Sequence, residues 1–267
     1  MLVRPIGVVR SAMTSTKNMP AEGAPAIVEV FPEYAAGLLS VESNSHVVVV
    51  TWLHKADRRT LQLDRVGPDN LPYHKGVFSL RSPSRPNPIG ISSARLVEVE
   101  GRHLHLERLD MIDGTPVIDI KGYSLGWDAV FSARGFWDML PASRRDPRLL
   151  FDLIRAQAVN FHGESCPGLL IGARMVYDVV SRWDLAPRDP ALKFELGANG
   201  CVVDAIQGAT GATFGNGRLT YLGGASFKAL LGEKSIAYTP KNLENISASE
   251  ALEAEAADLF EIGQELR

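Results

Sequence analysis

The chain of 267 residues has little with which to staple or anchor itself. It holds only two cysteines, Cys166 and Cys201. A disulfide framework is not needed at this size, and reducing surroundings would keep both thiols free. Four zinc ligands in two close pairs, as a zinc ribbon requires, are absent from the sequence. No apolar run is long enough to span a bilayer. The start, "MLVRPIGVVR", has no apolar signal region and reads as a first strand. The expected location is therefore the cytoplasm, away from membranes.

A strong charge of one sign is also missing. The net charge is −3, which excludes a generally basic nucleic-acid binder. Residues 1–135 carry 15 Lys+Arg against 14 Asp+Glu, and residues 136–267 carry 13 against 17. If RNA is bound, the cations that hold it must be locally clustered.

The first half is rich in strand patterns. "HVVVVTWL" (46–53), "GVFSL" (76–80), "ISSARLVEVE" (91–100), "HLHLERLDMI" (103–112) and "PVIDIKGY" (116–123) are β-branched or alternating runs. Turn residues separate them, and "EGRH" at 100–103 predicts a hairpin. Short, closely spaced strands of this kind predict a small barrel or sandwich. A short helix is expected at 32–39.

The period changes near 136–146. "RDPRLLFDLIRAQAVNF" has helical spacing, with Asp146 as N-cap and Pro147 at the first helical position. "PGLLIGARMVYDVVSRW" opens a second helix at Pro167, and "NGCVVDAIQGA" a shorter third. "RLTYLGG" and "KSIAYTP" read as strands. "SASEALEAEAADLFEIGQEL" predicts a final amphipathic helix opened by a capping box, Ser247 to Glu250. The expected class is α+β: a strand-rich barrel or sandwich domain over 1–137, then an α+β domain over 138–267 with a C-terminal helix.

The stretch "LRSPSRPNPIG" (80–90) stands out between strands. Its prolines fix their own φ and restrict the residue before each, so the loop has little entropy left to lose on binding. Arg81 and Arg85 suit a carboxylate or phosphate, and Asn87 with exposed carbonyls suits a purine edge.

This loop does not stand alone. "GVFSLRSPSRPNPIGIS", "LDMIDGTPVIDIK" and, upstream, "NSHVVVVTWLHKADR" together resemble the TsaA-like, or TrmO, family from about Ile6 to Tyr123. The resemblance implies a small antiparallel β-barrel that binds S-adenosylmethionine, usually as a homodimer. The implied activity is methylation of the exocyclic amine of threonylcarbamoyl-adenosine in tRNA. Carried over by position, His54, Arg81, Arg85, Asn87, Asp110, Asp113, Gly114, Thr115 and Pro116 become the expected cofactor-binding residues. No single residue is named as the catalytic base, because methyl transfer to an amine needs positioning more than a strong base.

The match has departures. The family's first motif is here Pro20-Ala21-Glu22-Gly23, without its arginine. The Pro-Tyr after "DIK" is Gly122-Tyr123. Both leave the acceptor open, so a small molecule or metal-containing cofactor stands beside tRNA.

"FHGESCPGLLIGARM" and "CVVDAIQGATGATFGNGRL" resemble a second family, the FmdE-type domain, over about 155–240. It is α+β and is associated with a metal or metallo-cofactor. From the residues alone, His162 and Cys166 lie four apart at a helix start, and Cys201 and Asp204 lie three apart at another. His162, Cys166 and Cys201 form a candidate set for zinc or another transition metal. Three motif positions depart, as Glu164, Ala212 and Asn216. "TGATFGNG" is a glycine-rich turn that offers room for a ligand. "HLH" (His103 and His105) offers a second, weaker chelate on a strand that reads as solvated.

Overall fold

This computed structural model describes residues 2–20, 23–66, 72–135, 137–241 and 246–266. It divides into two compact units, one of Met1–Arg65 and Pro72–Val130, the other holding Phe131–Arg267.

The first unit is a closed six-stranded antiparallel barrel. Its strands are β1 (Gly7–Ser11), β2 (Ala24–Val30), β3 (His46–Trp52), β6 (Ile89–Glu100), β7 (His103–Leu109) and β8 (Pro116–Gly122), in the order β1-β2-β7-β6-β3-β8. A separate ribbon, β4 (Gln62–Val66) with β5 (Pro72–Gly76), belongs to neither the barrel nor the second unit's sheet. The alternation of β3 explains its role. Val47, Val49 and Thr51 are fully buried, and their neighbours face outward. Ala26, Val28, Leu104, Leu106 and Val117 complete the interior from facing strands. Register shifts between Ala24 and Ala26 of β2 and between Leu96 and Glu98 of β6 bend the sheet toward closure.

"GVFSL" is a turn rather than a strand. Val77–Ser79 form a single 3-10 turn, closed by the Leu80 amide on the Val77 carbonyl at 3.2 Å. The Ser79 hydroxyl donates back to the Gly76 carbonyl at 2.8 Å. Only Val77 of this turn is buried, so a two-faced strand has nothing to pack. The helix expected at 32–39 is likewise a 3-10 segment, Pro32–Leu38. A short α1 (Leu125–Asp128) follows the barrel.

The second unit packs α2 (Pro147–His162), α3 (Pro167–Arg182) and α4 (Gly200–Thr210) with a five-stranded sheet. The sheet contains β9 (Leu192–Leu196), β10 (Leu219–Tyr221), β11 (Phe227–Leu231), β12 (Lys234–Pro240) and β13 (Phe260–Ile262), in the order β10-β9-β11-β12-β13. Asp146 caps α2 by accepting from the amides of Arg148 and Leu149. The long C-terminal helix is not formed. α5 (Ala248–Glu253) keeps its Ser247–Glu250 capping box, α6 (Ala256–Leu259) is one turn, and the chain then joins the sheet as β13. The edge of β12 decides this. It offers ladder bonds to Phe260–Ile262, and Phe260 packs edge-on against buried Tyr238 at 5.5 Å. Among the described residues no helix is long and apolar enough to cross a membrane.

Candidate functional site

Five loops and strand ends enclose a pocket of about 710 Å³ in the barrel unit. This lies in the size range of small-molecule sites. Thr14–Thr16 follow β1, Leu53–Asp57 follow β3, and Arg81 with Pro83–Arg85 come from the proline-rich loop. Ile89–Ser92 open β6, and Asp110–Ile112 with Thr115 connect β7 to β8.

The proline loop is held by its own arginine. Arg85 Nε donates to the Ser82 carbonyl at 2.8 Å, and Nη2 to the carbonyls of Val77, at 2.9 Å, and Leu80. Arg81 is exposed and reaches the Ile91 carbonyl on β6. One arginine therefore fixes the wall and the other crosses toward the opposite strand. On the anionic side, the Ser92 hydroxyl donates to Asp110. Asp57 accepts from the Arg59 amide at 2.9 Å and the Thr60 hydroxyl at 2.7 Å, and these bonds hold its carboxyl below the usual range.

Gly90 sets the floor. A Cβ there would lie 2.5 Å from Thr51 Oγ1 and 2.8 Å from Met111 Cε. Buried Thr51 already donates to Met111 Sδ at 3.3 Å, so the floor has little room to yield. Gly90→Val is expected to destabilise the barrel by about 2 kcal/mol through overpacking. Urea unfolding would measure this, and a wild-type midpoint would refute it.

Of the nine residues expected at the cofactor, His54, Arg81, Arg85, Asp110 and Thr115 line this pocket. Asn87, Asp113, Gly114 and Pro116 are not among its lining residues. Asp113 and Gly114 are engaged in building the turn. The Asp113 carboxylate accepts from the Ser11 amide at 3.1 Å, and the Gly114 amide donates to the Val9 carbonyl at 2.9 Å. The Asn87 carbonyl accepts from the Ile89 amide at 2.8 Å, and its side chain is exposed. Sequence reasoning missed Thr14–Thr16, Lys55, Asp57, Gly90 and Ser92. Lys55 and Ser92 sit beside motif residues, but Thr14–Thr16 carry no comparable signal. Of the altered first motif, Ala21 and Glu22 lie outside the described residues.

A second constellation lies in the other unit. His162 ends α2, Cys166 caps α3, and Cys201 lies in the first turn of α4. Their candidate ligand atoms all lie within 4.8 Å of one another. Two thiolates on one zinc ion sit about 3.8 Å apart, so the set fits such an ion with small adjustments. Gly168 makes the approach possible, since a Cβ there would lie 2.9 Å from Cys201 Cβ. His162 Nδ1 meets Asp204 at 2.8 Å, which leaves Nε2 facing Cys166 Sγ at 3.5 Å. Asp204 thus orients the imidazole, as carboxylates do behind metal-binding histidines.

The charges are tuned as well. The Asp204 contact raises the His162 pKa above its ordinary value. Burial opposes ionisation of Cys166, but the Leu169 amide, Cys201 and His162 outweigh it and lower this thiol. Burial, then the neighbouring Cys166, pushes Cys201 up.

Glu164 is exposed and outside the group, and Ala212 is buried core. The glycine-rich turn is closed on itself. Asn216 accepts from the Thr213 amide at 2.9 Å and donates to the Gly211 carbonyl at 2.9 Å. Among the described residues His103 and His105 join no metal-holding group. Asp119 and Lys121 form a strand-face ion pair at 2.7 Å, largely exposed and worth little.

Residues 8–129 match the family described as the tRNA-methyltransferase O N-terminal domain. An S-adenosyl-L-methionine-binding protein of Archaeoglobus fulgidus is 42% identical over 139 residues, 51% of this chain and 98% of its own length. The chain belongs to the TrmO family. Residues 161–257 match FmdE, named for the molybdenum formylmethanofuran dehydrogenase operon, so the TrmO barrel is fused to an FmdE domain. A second A. fulgidus relative, a probable S-adenosyl-L-methionine-binding protein, is 36% identical over 231 residues, 82% of this chain. This chain spans 61% of that relative's length. A human tRNA (adenine(37)-N6)-methyltransferase is 35% identical over 141 residues, 48% of this chain and 31% of the human protein.

Proposed function

We propose that the barrel pocket binds S-adenosylmethionine and that the chain is a methyltransferase. The acceptor proposed is the exocyclic amine of threonylcarbamoyl-adenosine in tRNA. The observation that carries this reading is the convergence of His54, Arg81, Arg85, Asp110 and Thr115 on one pocket of about 710 Å³. TrmO membership and the names of the relatives support it.

The chemistry of the lining fits the donor. S-adenosylmethionine has an anionic carboxylate, a cationic ammonium and a cationic sulfonium. Arg81 and Lys55 offer charge for the first, and Asp57 and Asp110 for the other two. When bound, the donor supplies an electrophilic methyl group. The stiff proline loop excludes water on one side. The amine must lose a proton as it is methylated, and the carboxylate of Asp110 or Asp57 can take it through water.

Arg81→Ala is expected to weaken donor binding about tenfold, through loss of a charge-assisted hydrogen bond. Calorimetric titration would measure it, and unchanged affinity would place the donor elsewhere. The activity test uses methyl-labelled donor with tRNA that carries or lacks the threonylcarbamoyl group. Label only in the modified tRNA is expected. Donor binding without label in any RNA would overturn the acceptor.

A second reading concerns the FmdE unit and rests on the convergence of His162, Cys166 and Cys201. These residues would hold a zinc or softer transition-metal ion, and Asp204 would orient His162. Under this reading the methyl acceptor is a small molecule or metal-containing cofactor, and the labelled product appears in a metabolite extract instead of RNA. A cofactor- and metal-binding protein without transfer activity would leave both fractions unlabelled.

A further inference from the structure

The chain's charge is unevenly placed. Residues 54–85 hold seven Lys+Arg (55, 58, 59, 65, 75, 81, 85) against three Asp (57, 64, 69), or +4. The whole chain is −3, so the remainder carries −3 − 4 = −7. Its described residues include one pocket wall, the β4 and β5 strands and the start of the proline loop.

Two of the segment's three acids make local bonds. Asp57 caps the turn at Arg59 and Thr60, at 2.9 and 2.7 Å. Asp64 holds His74 Nδ1 at 2.6 Å. Asp69 lies outside the described residues. The cations Lys55, Arg58, Arg59 and Arg81 make no ion pair among the described residues. Arg58 is held in place, with Nε donating to the Pro86 carbonyl at 3.1 Å and its guanidinium 5.4 Å from the Trp52 ring centre.

An exposed aromatic ring lies on the same segment. Phe78 is 82% exposed. Its neighbour Val77 ties that turn to both sides of the surface, with its amide on the Leu61 carbonyl and its own carbonyl accepting from Arg85. The fold gains nothing from leaving a phenylalanine in water. A two-stranded ribbon outside any larger sheet is also only marginally stable by itself. Cations that make no ion pair among the described residues, on a segment that also carries a bare aromatic ring, match the chemistry of an unpaired nucleic-acid strand. Phosphates take the cations and a base stacks on the ring.

We propose that residues 54–64 and 73–85 form a docking surface for single-stranded RNA, with phosphates along Arg58 and Arg59 and one base stacked on Phe78. This rests on the methyl-transfer reading of the adjoining pocket and deepens it. The surface would deliver an unpaired loop, not a duplex, to the pocket mouth.

The test is fluorescence anisotropy of the full chain with a labelled single-stranded RNA on the order of ten nucleotides long. It is run across a potassium chloride series, beside a duplex of the same sequence and anionic lipid vesicles. Arg59→Ala is expected to reduce the steepness of the log–log salt dependence by about 0.7. Phe78→Ala is expected to weaken binding about tenfold with the salt slope unchanged. Neither residue lines the pocket, so donor affinity, measured separately, stays at the wild-type value. A chain that binds donor but no RNA overturns the docking surface and leaves the pocket reading intact. RNA affinity indifferent to both substitutions, or a preference for duplex or vesicles, overturns it equally.

Discussion

Arg85→Ala is expected to lower stability and donor affinity together, whereas Arg81→Ala lowers affinity alone. The two arginines lie in one motif and the sequence gives them one chemistry. Their surroundings separate them. Arg85 is half-buried and bonds three carbonyls of its own loop, those of Val77, Leu80 and Ser82. Removing it leaves those carbonyls without a charged donor, at a cost of about 2 kcal/mol. The loop then has to be reordered by the ligand. A penalty of about 2 kcal/mol corresponds to roughly thirtyfold in affinity. Arg81 is exposed and among the described residues bonds only the Ile91 carbonyl, so its loss should leave stability within about 0.5 kcal/mol of wild type. Denaturant titration and calorimetry on both variants separate the roles. A stable, loosely binding Arg85→Ala would make it a ligand contact rather than a brace.

That contrast shows what the sequence could and could not carry. Strand identity was legible where β-branched residues alternate, as in "HVVVVTW". It was not legible in β2, "APAIVEV", where two inward positions are alanines that signal neither strand nor core. "GVFSL" has strand-like residues but is pinned as a turn by bonds to Gly76 and Val77. The last helix has helical spacing, yet its end at Phe260–Ile262 is taken by the edge of β12. Local pattern loses there to a tertiary partner that no local window reveals.

The site was legible in proportion to its chemistry. His162, Cys166 and Cys201 are rare residue types at tight spacing, and they do converge. Arg81 and Asp110 came with long motifs. Thr14–Thr16 line the same pocket but look like any polar loop. Asp113 is ambiguous for a different reason. An aspartate before glycine is as suited to closing a turn as to meeting a ligand, and its bond to the Ser11 amide shows that it closes the turn.

Cys166→Ala and Cys201→Ala are each expected to reduce zinc affinity by at least about a hundredfold. Loss of a supporting second partner alone typically weakens a metal site tenfold to a hundredfold, and these sulfurs would bind directly. Asp204→Asn should fall in the range of about ten to a hundredfold, because it keeps a polar contact to His162 but removes the charge. Competition with a chromophoric chelator reads all three. The ligands must shed protons to bind, so affinity rises with pH. Asp204 holds the His162 proton above the ordinary histidine range, so the rise extends to higher pH in the wild type than in Asp204→Asn. In the metal-free chain the same contact acts on stability with the opposite trend. The folded pKa is raised, so the stabilisation is complete below the unfolded histidine value and is lost as pH climbs through the raised one. The gap in urea midpoint between wild type and Asp204→Asn should therefore be widest in mild acid and narrow toward alkaline pH. Wild-type zinc affinity in either cysteine variant would reduce the pair to two ordinary half-buried thiols, and the pH-dependent gap would remain as a property of the His162–Asp204 contact alone.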